Sequence, residues 1–368
     1  MITYLIVFFI SVLFTYQAQK YFDHSQKRKG LALSILAVLL PSILAGLRNT
    51  SVGTDVEFYA FPAFNEALKS NYFEFIRSTS SYLEIGYSTF IFVIAKLTDS
   101  FQMVLFATHL IIMIFVYRFI YENRKEVPMY MALLVFFLFF YNLTLNIMRQ
   151  GIAIAIILYS LVLFENRKYL KAAILFLIAF LFHKSILFAI PMFLLIVIIR
   201  KISGYQRLTF FINVFLIALA VSSNAIILFL TKNGIIPSRY YYYFSGYQSE
   251  VVDYKVFETT FKLLWIVMYM LYQRINHSQK LNIYFEFLLV DFILFPISYT
   301  ITNAYRLSLA YAAAGMLTVV PSLVKLFKKN QLGIVGGRMF IIAVLTFYWY
   351  WMYIHHGYGE TYPYELFI

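Results

Sequence analysis

"GLALSILAVLLPSILAGLRNTSVGTDVEFY", residues 30–59, decides the fold. Residues 30–47 carry no charge, and a bilayer span needs roughly 20 apolar residues, with about 17 to 25 the usual range. Arg48, Asp55 and Glu57 then fall within ten positions of one another, in a loop that also contains Gly53. An apolar helix that empties at once into a charged, glycine-bearing loop reads as a membrane span. The loop is where the chemistry is expected.

Composition extends that reading to the whole chain. Of 368 residues, 62% are hydrophobic, 20% aromatic and only 13% charged, against about 25% charged in a soluble domain. Apolar runs recur from end to end, so the expectation is a single integral membrane domain over 1–368, with external loops at about 48–84 and 231–258. The chain has no cysteine, which excludes disulfides, thiolate metal sites and thiol nucleophiles. The net charge of +13 is topological and no sign of nucleic-acid binding, because basic residues cluster between apolar runs.

Candidate spans are about 2–17, 30–47, 101–121, 128–146, 148–164, 169–183, 185–199, 208–230, 259–273, 281–301, 304–324 and 336–354. Helices are expected because the lipid core offers no partner for an unpaired backbone amide. The fold class is therefore all-α, a polytopic transmembrane helix bundle of about 12 spans. Six basic clusters fall on one side, the cytoplasmic side, if the chain starts outside and "GYSTFIFVIAKLT" (86–98) does not cross. That segment is expected to be a re-entrant or surface helix.

Nearly every unusual polar residue then lands on the outer face. Asn146, Arg149, Gln150 and Ala153 fit one face of a helix, and arginine near the bilayer must face a cavity or snorkel. His183 and Lys184 occupy a turn between two short spans, and Arg306 follows another. "SRYYYYFSGY" (238–247) sets Arg239 beside four tyrosines; an interfacial aromatic belt is the plainer reading, sugar stacking the functional one. Asp291 lies mid-span, where a carboxylate needs a partner; an arginine is the expected one. Zinc-type spacing, a phosphate-binding glycine loop and a nucleophile elbow are all missing, so no metal or cofactor is expected.

In their order and placement, "RNTSVGTDVEFY" (48–59), "EIGY" (84–87), "NIMRQGIA" (146–153), "AFLFHKS" (179–185), "NAYR" (303–306) and "YPY" (362–364) resemble the EpsG family of Wzy-type exopolysaccharide and O-antigen polymerases. The resemblance covers almost the whole chain; Ile85 departs from it, standing where the pattern has proline. It implies a GT-C-like membrane glycosyltransferase, multi-pass in the cell inner (cytoplasmic) membrane. Its donor and acceptor would both be oligosaccharides linked to undecaprenyl diphosphate, with the lipid bilayer, a flippase and a chain-length regulator as further candidate partners.

In such a transfer negative charge grows on the leaving diphosphate while an acceptor hydroxyl loses its proton. The resemblance makes Arg48, Arg149, Arg239 and Arg306 candidates for the diphosphate, with Tyr59 and Gln150 beside them. Asp55 is the first candidate base and Glu84 the second; His183 completes the catalytic set. For Asp55 the alternative is a helix N-cap, since "TDVEFY" resembles a start signal. An O-antigen ligase, a lipid-linked glycan flippase or transporter, and a non-catalytic scaffold are the competing functions.

Overall fold

The computed structural model describes residues 1–202, 249–275, 278–299, 305–327 and 331–367. The expected span at 208–230 and the tyrosine run with Arg239 lie outside the described residues. The architecture is all-helical; among the described residues the only β pairing is one isolated antiparallel bridge, Arg48 to Leu366.

Contacts divide the chain into two compact units, Met1–Leu187 with Arg338–Ile368, and Phe188–Gly337. In the first unit the chain forms α1 (Ile2–Asp23), α2 (Lys27–Gly46), α3 (Phe61–Lys69), α4 (Tyr72–Thr79), α5 (Ile85–Thr98), α6 (Phe101–Glu122), α7 (Met129–Asn146), α8 (Met148–Glu165) and α9 (Tyr169–Phe182). The second holds α10 (Ile190–Ile202), α11 (Ser249–Gln273), α12 (Gln279–Leu294) and α13 (Tyr305–Phe327), while α14 (Leu332–His355) ends in the first. Seven of these, α1, α2, α6, α7, α8, α13 and α14, are long and apolar enough to cross a membrane.

Among the described residues, the remaining expected spans are shorter or more charged. At 1.5 Å per residue a 14-residue helix such as α5 or α9 is about 21 Å long, short of the roughly 30 Å hydrocarbon core. The 86–98 segment is thus a single helix too short to span unaided. It buries Tyr87, Ser88, Ile91 and Ala95. Gly86 lets it approach α9 closely, because a Cβ there would lie 2.6 Å from the Leu181 carbonyl oxygen. Ile85 takes the first helical position, where proline is favoured, and the chain turns from extended to helical at Glu84 regardless.

One expectation fails at the α7–α8 junction. Ile147 leaves helical geometry (φ −80°, ψ 51°), so Asn146 ends one helix and Arg149 starts another; they share no continuous face. The break aims the three polar side chains at three different partners.

The second unit contains a buried ion cluster. Lys255, Glu258 and Lys262 share one face of α11 at spacings of three and four, and all are buried together with Asp291 of α12. Lys262 Nζ lies 2.9 Å from Asp291 Oδ2 and 3.1 Å from Glu258 Oε1, and sits over the Phe295 ring. Lys255 donates to the Ser298 carbonyl. Asp291 is therefore paired with a lysine, not the expected arginine, and two cations match two carboxylates. These charges lower the hydropathy of α11.

Candidate active site

The first loop is shaped by a glycine. Gly53 has φ +97°, a conformation that a side chain disfavours, and a Cβ would meet the Leu145 carbonyl at 3.1 Å. The turn delivers Asp55 in αR geometry (φ −62°, ψ −21°) with no side-chain cap. Asn146 does the capping instead, its Oδ1 accepting from the Asp55 amide at 2.9 Å. The N-cap reading of Asp55 is thereby replaced, and its carboxylate is left out of capping.

A segment far along the chain holds this loop. The Gly53 amide donates to the Glu360 carbonyl at 2.9 Å, Asn49 to that of Glu365 at 2.8 Å, and Phe367 back to Leu47 at 2.9 Å. Side chains add Thr54 Oγ1 to Glu360 Oε2 at 3.0 Å and Ser51 Oγ to Glu365 Oε2 at 2.9 Å. Thr54 thus reaches across more than 300 residues of sequence to the strap. The strap is anchored in turn: Tyr364 donates to the Leu44 carbonyl, Tyr4 to that of Thr361, and Asn142 to Thr361 Oγ1. Trp349 Nε1 fixes the Asn142 amide at 2.8 Å.

Beside the loop, Arg149 meets Glu84. Its Nη1 lies 2.5 Å from Glu84 Oε2 and 3.0 Å from the Tyr82 carbonyl, and the guanidinium carbon sits 4.5 Å over the Tyr59 ring. Both charged side chains are partly exposed, 19% for Arg149 and 13% for Glu84. Tyr59 packs edge-on against Tyr87. Burial pushes the Tyr59 phenol well above its ordinary pKa; Tyr87 and Asp55 push it further and Arg149 pulls it back. That neutral phenol is a donor, not a base, at neutral pH.

Glu84 also accepts from the Lys184 amide at 3.3 Å. Gln150 Nε2 donates to Ser185 Oγ at 3.2 Å, and that hydroxyl lies 2.7 Å from His183 Nδ1. The Ser185 amide donates to the same Nδ1 at 3.3 Å, which makes that nitrogen an acceptor. A cavity of about 280 Å³ opens next to this turn, lined by Glu84, Ser80, Ser88 and Lys184 with Leu83 and Leu181.

Arg48 is fully buried. Its Nη2 contacts Met148 Sδ at 3.3 Å, while Nε and Nη1 have no hydrogen-bond partner. Burial lowers its pKa, and Tyr4, Tyr141, Tyr87 and Tyr364 oppose that. Arg48, a candidate for the diphosphate, is thus sealed from solvent beside Leu366 of the strap.

Asp55, Tyr59, Glu84, Arg149, Gln150, His183 and Arg48 all belong to the first unit. Arg306 belongs to the second, at the start of α13, and Arg239 lies outside the described residues. Among the described residues no three of His, Asp and Glu gather as a metal site. Sequence reasoning missed Asn146 as the cap, the Tyr82 carbonyl, and Glu360 and Glu365 as clamps. The "YPY" element flagged the strap's position, but not its target.

The EpsG family model matches residues 31–366. No curated protein and no solved structure matches the chain.

Proposed function

The chain belongs to the EpsG family, and on that premise we propose that it is a membrane-embedded glycosyltransferase that polymerises polysaccharide repeat units. Donor and acceptor are carried on undecaprenyl diphosphate and react at the outer face of the cytoplasmic membrane. One observation carries the reading: Tyr59 and Glu84, from separate segments, converge on the Arg149 guanidinium, with Asp55 near enough to Tyr59 to act on its phenol electrostatically.

In this reading an acceptor hydroxyl attacks the anomeric carbon of the donor, the carbon–oxygen bond to diphosphate breaks, and its electron pair leaves on the diphosphate. The hydroxyl proton passes to Asp55. Arg149 receives the leaving group, since a guanidinium fork binds two phosphate oxygens at once and fixed cations stabilise charge as it develops. The resting partner of Arg149 is the single carboxylate of Glu84, which a more highly charged diphosphate displaces. Glu84 is a positioning residue, also tied to the turn after His183. Tyr59 supports the guanidinium from below.

The test is deletion of the gene and gel analysis of surface glycan, with complementation by wild type or Asp55→Asn. Loss of a polymerase leaves single repeat units, and Asp55→Asn gives the same pattern at normal protein level. Full-length chains retained on lipid would overturn the polymerase in favour of a ligase; full-length surface polymer from Asp55→Asn would remove that carboxylate from the mechanism.

A further inference from the structure

Away from the loop and strap, α2 and α6 pack antiparallel. A Cβ on Gly46 would meet Phe106, while at the other end Phe22, just before the turn into α2, stacks edge-on against Tyr121 at 4.9 Å. Between the two helices runs a groove of about 490 Å³. Leu31, Ile35 and Leu39 line it from α2, and Leu110 and Ile114 from α6.

The groove is charged at one end only; Ser34 along its wall has its hydroxyl tied to the Gly30 carbonyl. Lys27 and Arg118 stand there, with Tyr121 and Tyr159. The Arg118 guanidinium lies 5.6 Å from the Tyr121 ring centroid and 5.5 Å from that of Tyr159, and Arg124 covers the same Tyr121 ring at 3.9 Å. All three cations belong to clusters that the charge pattern assigns to the cytoplasmic side. From Lys27 to Leu39 the groove is about 18 Å long, close to half of a hydrocarbon core of roughly 30 Å. An apolar channel one leaflet deep, basic at its mouth, matches a lipid tail below an anionic headgroup.

We propose that this groove binds one anionic glycerophospholipid of the cytoplasmic leaflet, an acyl chain lying along α2 and α6 and the phosphate between Lys27 and Arg118. Arg118 now pairs with Glu122 at 2.9 Å, but its side chain is half exposed, and such surface pairs hold little. The phosphate takes over that contact. A zwitterionic lipid such as phosphatidylcholine fits the channel equally, but its own headgroup cation offsets the phosphate that Lys27 and Arg118 would match. Glu122, beside the headgroup, opposes it.

The test is native mass spectrometry of the full chain after detergent exchange, with phosphatidylglycerol and phosphatidylcholine of identical chains. Two cations, each contributing about fivefold near a membrane surface, give an expected preference for phosphatidylglycerol of roughly 30-fold. Lys27→Gln with Arg118→Gln reduces it to near unity, and Glu122→Gln raises it. Should the double variant fail to fold, Glu122→Gln alone still decides the direction. Equal retention of the two lipids, unchanged selectivity in the double variant, weaker retention in Glu122→Gln, or displacement of both lipids by a polyprenyl phosphate would overturn the proposal.

Discussion

Arg149→Lys keeps the charge and removes the planar fork. At rest the guanidinium is held three ways, by Glu84 Oε2 at 2.5 Å, by the Tyr82 carbonyl at 3.0 Å and by the Tyr59 ring at 4.5 Å. An ammonium retains Glu84 but cannot serve the carbonyl and the ring as well. The charged bond to the carbonyl is worth about 1.5–3 kcal/mol and the ring contact about 0.5–1 kcal/mol, so the resting site loses about 2–4 kcal/mol of local order. In the transition state one fewer donor reaches the leaving diphosphate, which costs about 100- to 1,000-fold in rate. The assay complements a deletion strain, measures glycan length on gels and protein level by immunoblot, and follows thermal unfolding of the purified protein. Single units or very short chains at unchanged protein level are expected. Wild-type chain length in the lysine variant would refute the assignment of Arg149 to the leaving group.

Other substitutions test separate parts of the structure. Gly53→Ala places a Cβ at φ +97° against the Leu145 carbonyl, a strain of about 1–3 kcal/mol; limited proteolysis should cut the 47–54 loop faster, with elongation reduced. Gly86→Ala forces α5 away from the Leu181 carbonyl and should impair elongation by shifting Glu84, whereas normal polymer would show that the helix pair can separate freely. Lys262→Met strands Glu258 and Asp291 and should destabilise the protein by about 3–5 kcal/mol, read as a lower unfolding temperature in detergent. Adding Asp291→Leu to that variant should recover part of the loss.

The long helices were legible because apolar runs of span length carry their own signal, and all seven candidate spans coincide with such runs. Charge placement alone marked 86–98 as unlike the others. The break at Ile147 was not legible: "NIMR" has no glycine or proline to announce it, and the departure from helix follows from tertiary contacts of Asn146 and Arg149. Asp291 is legible by its cost in lipid, yet the expected arginine partner is a lysine instead, because Lys262 looks like one charge among several on a polar stretch of α11. Asp55 and Glu84 are legible from the loop and the family pattern. That Arg149 already holds Glu84, and that Arg48 is sealed from solvent, depend on packing between segments far apart in sequence.

The strap from Glu360 to Phe367 also fixes a parity. Backbone hydrogen bonds join it to Leu47, Asn49 and Gly53, and such bonds cannot form across a bilayer. The chain must therefore cross an even number of times between the two segments. The same rule applies between Glu84 and Arg149, which are ion-paired with α5, α6 and α7 between them. If α6 and α7 each cross once, α5 does not cross at all, and side-specific labels placed at residues 84 and 149 will report the same compartment.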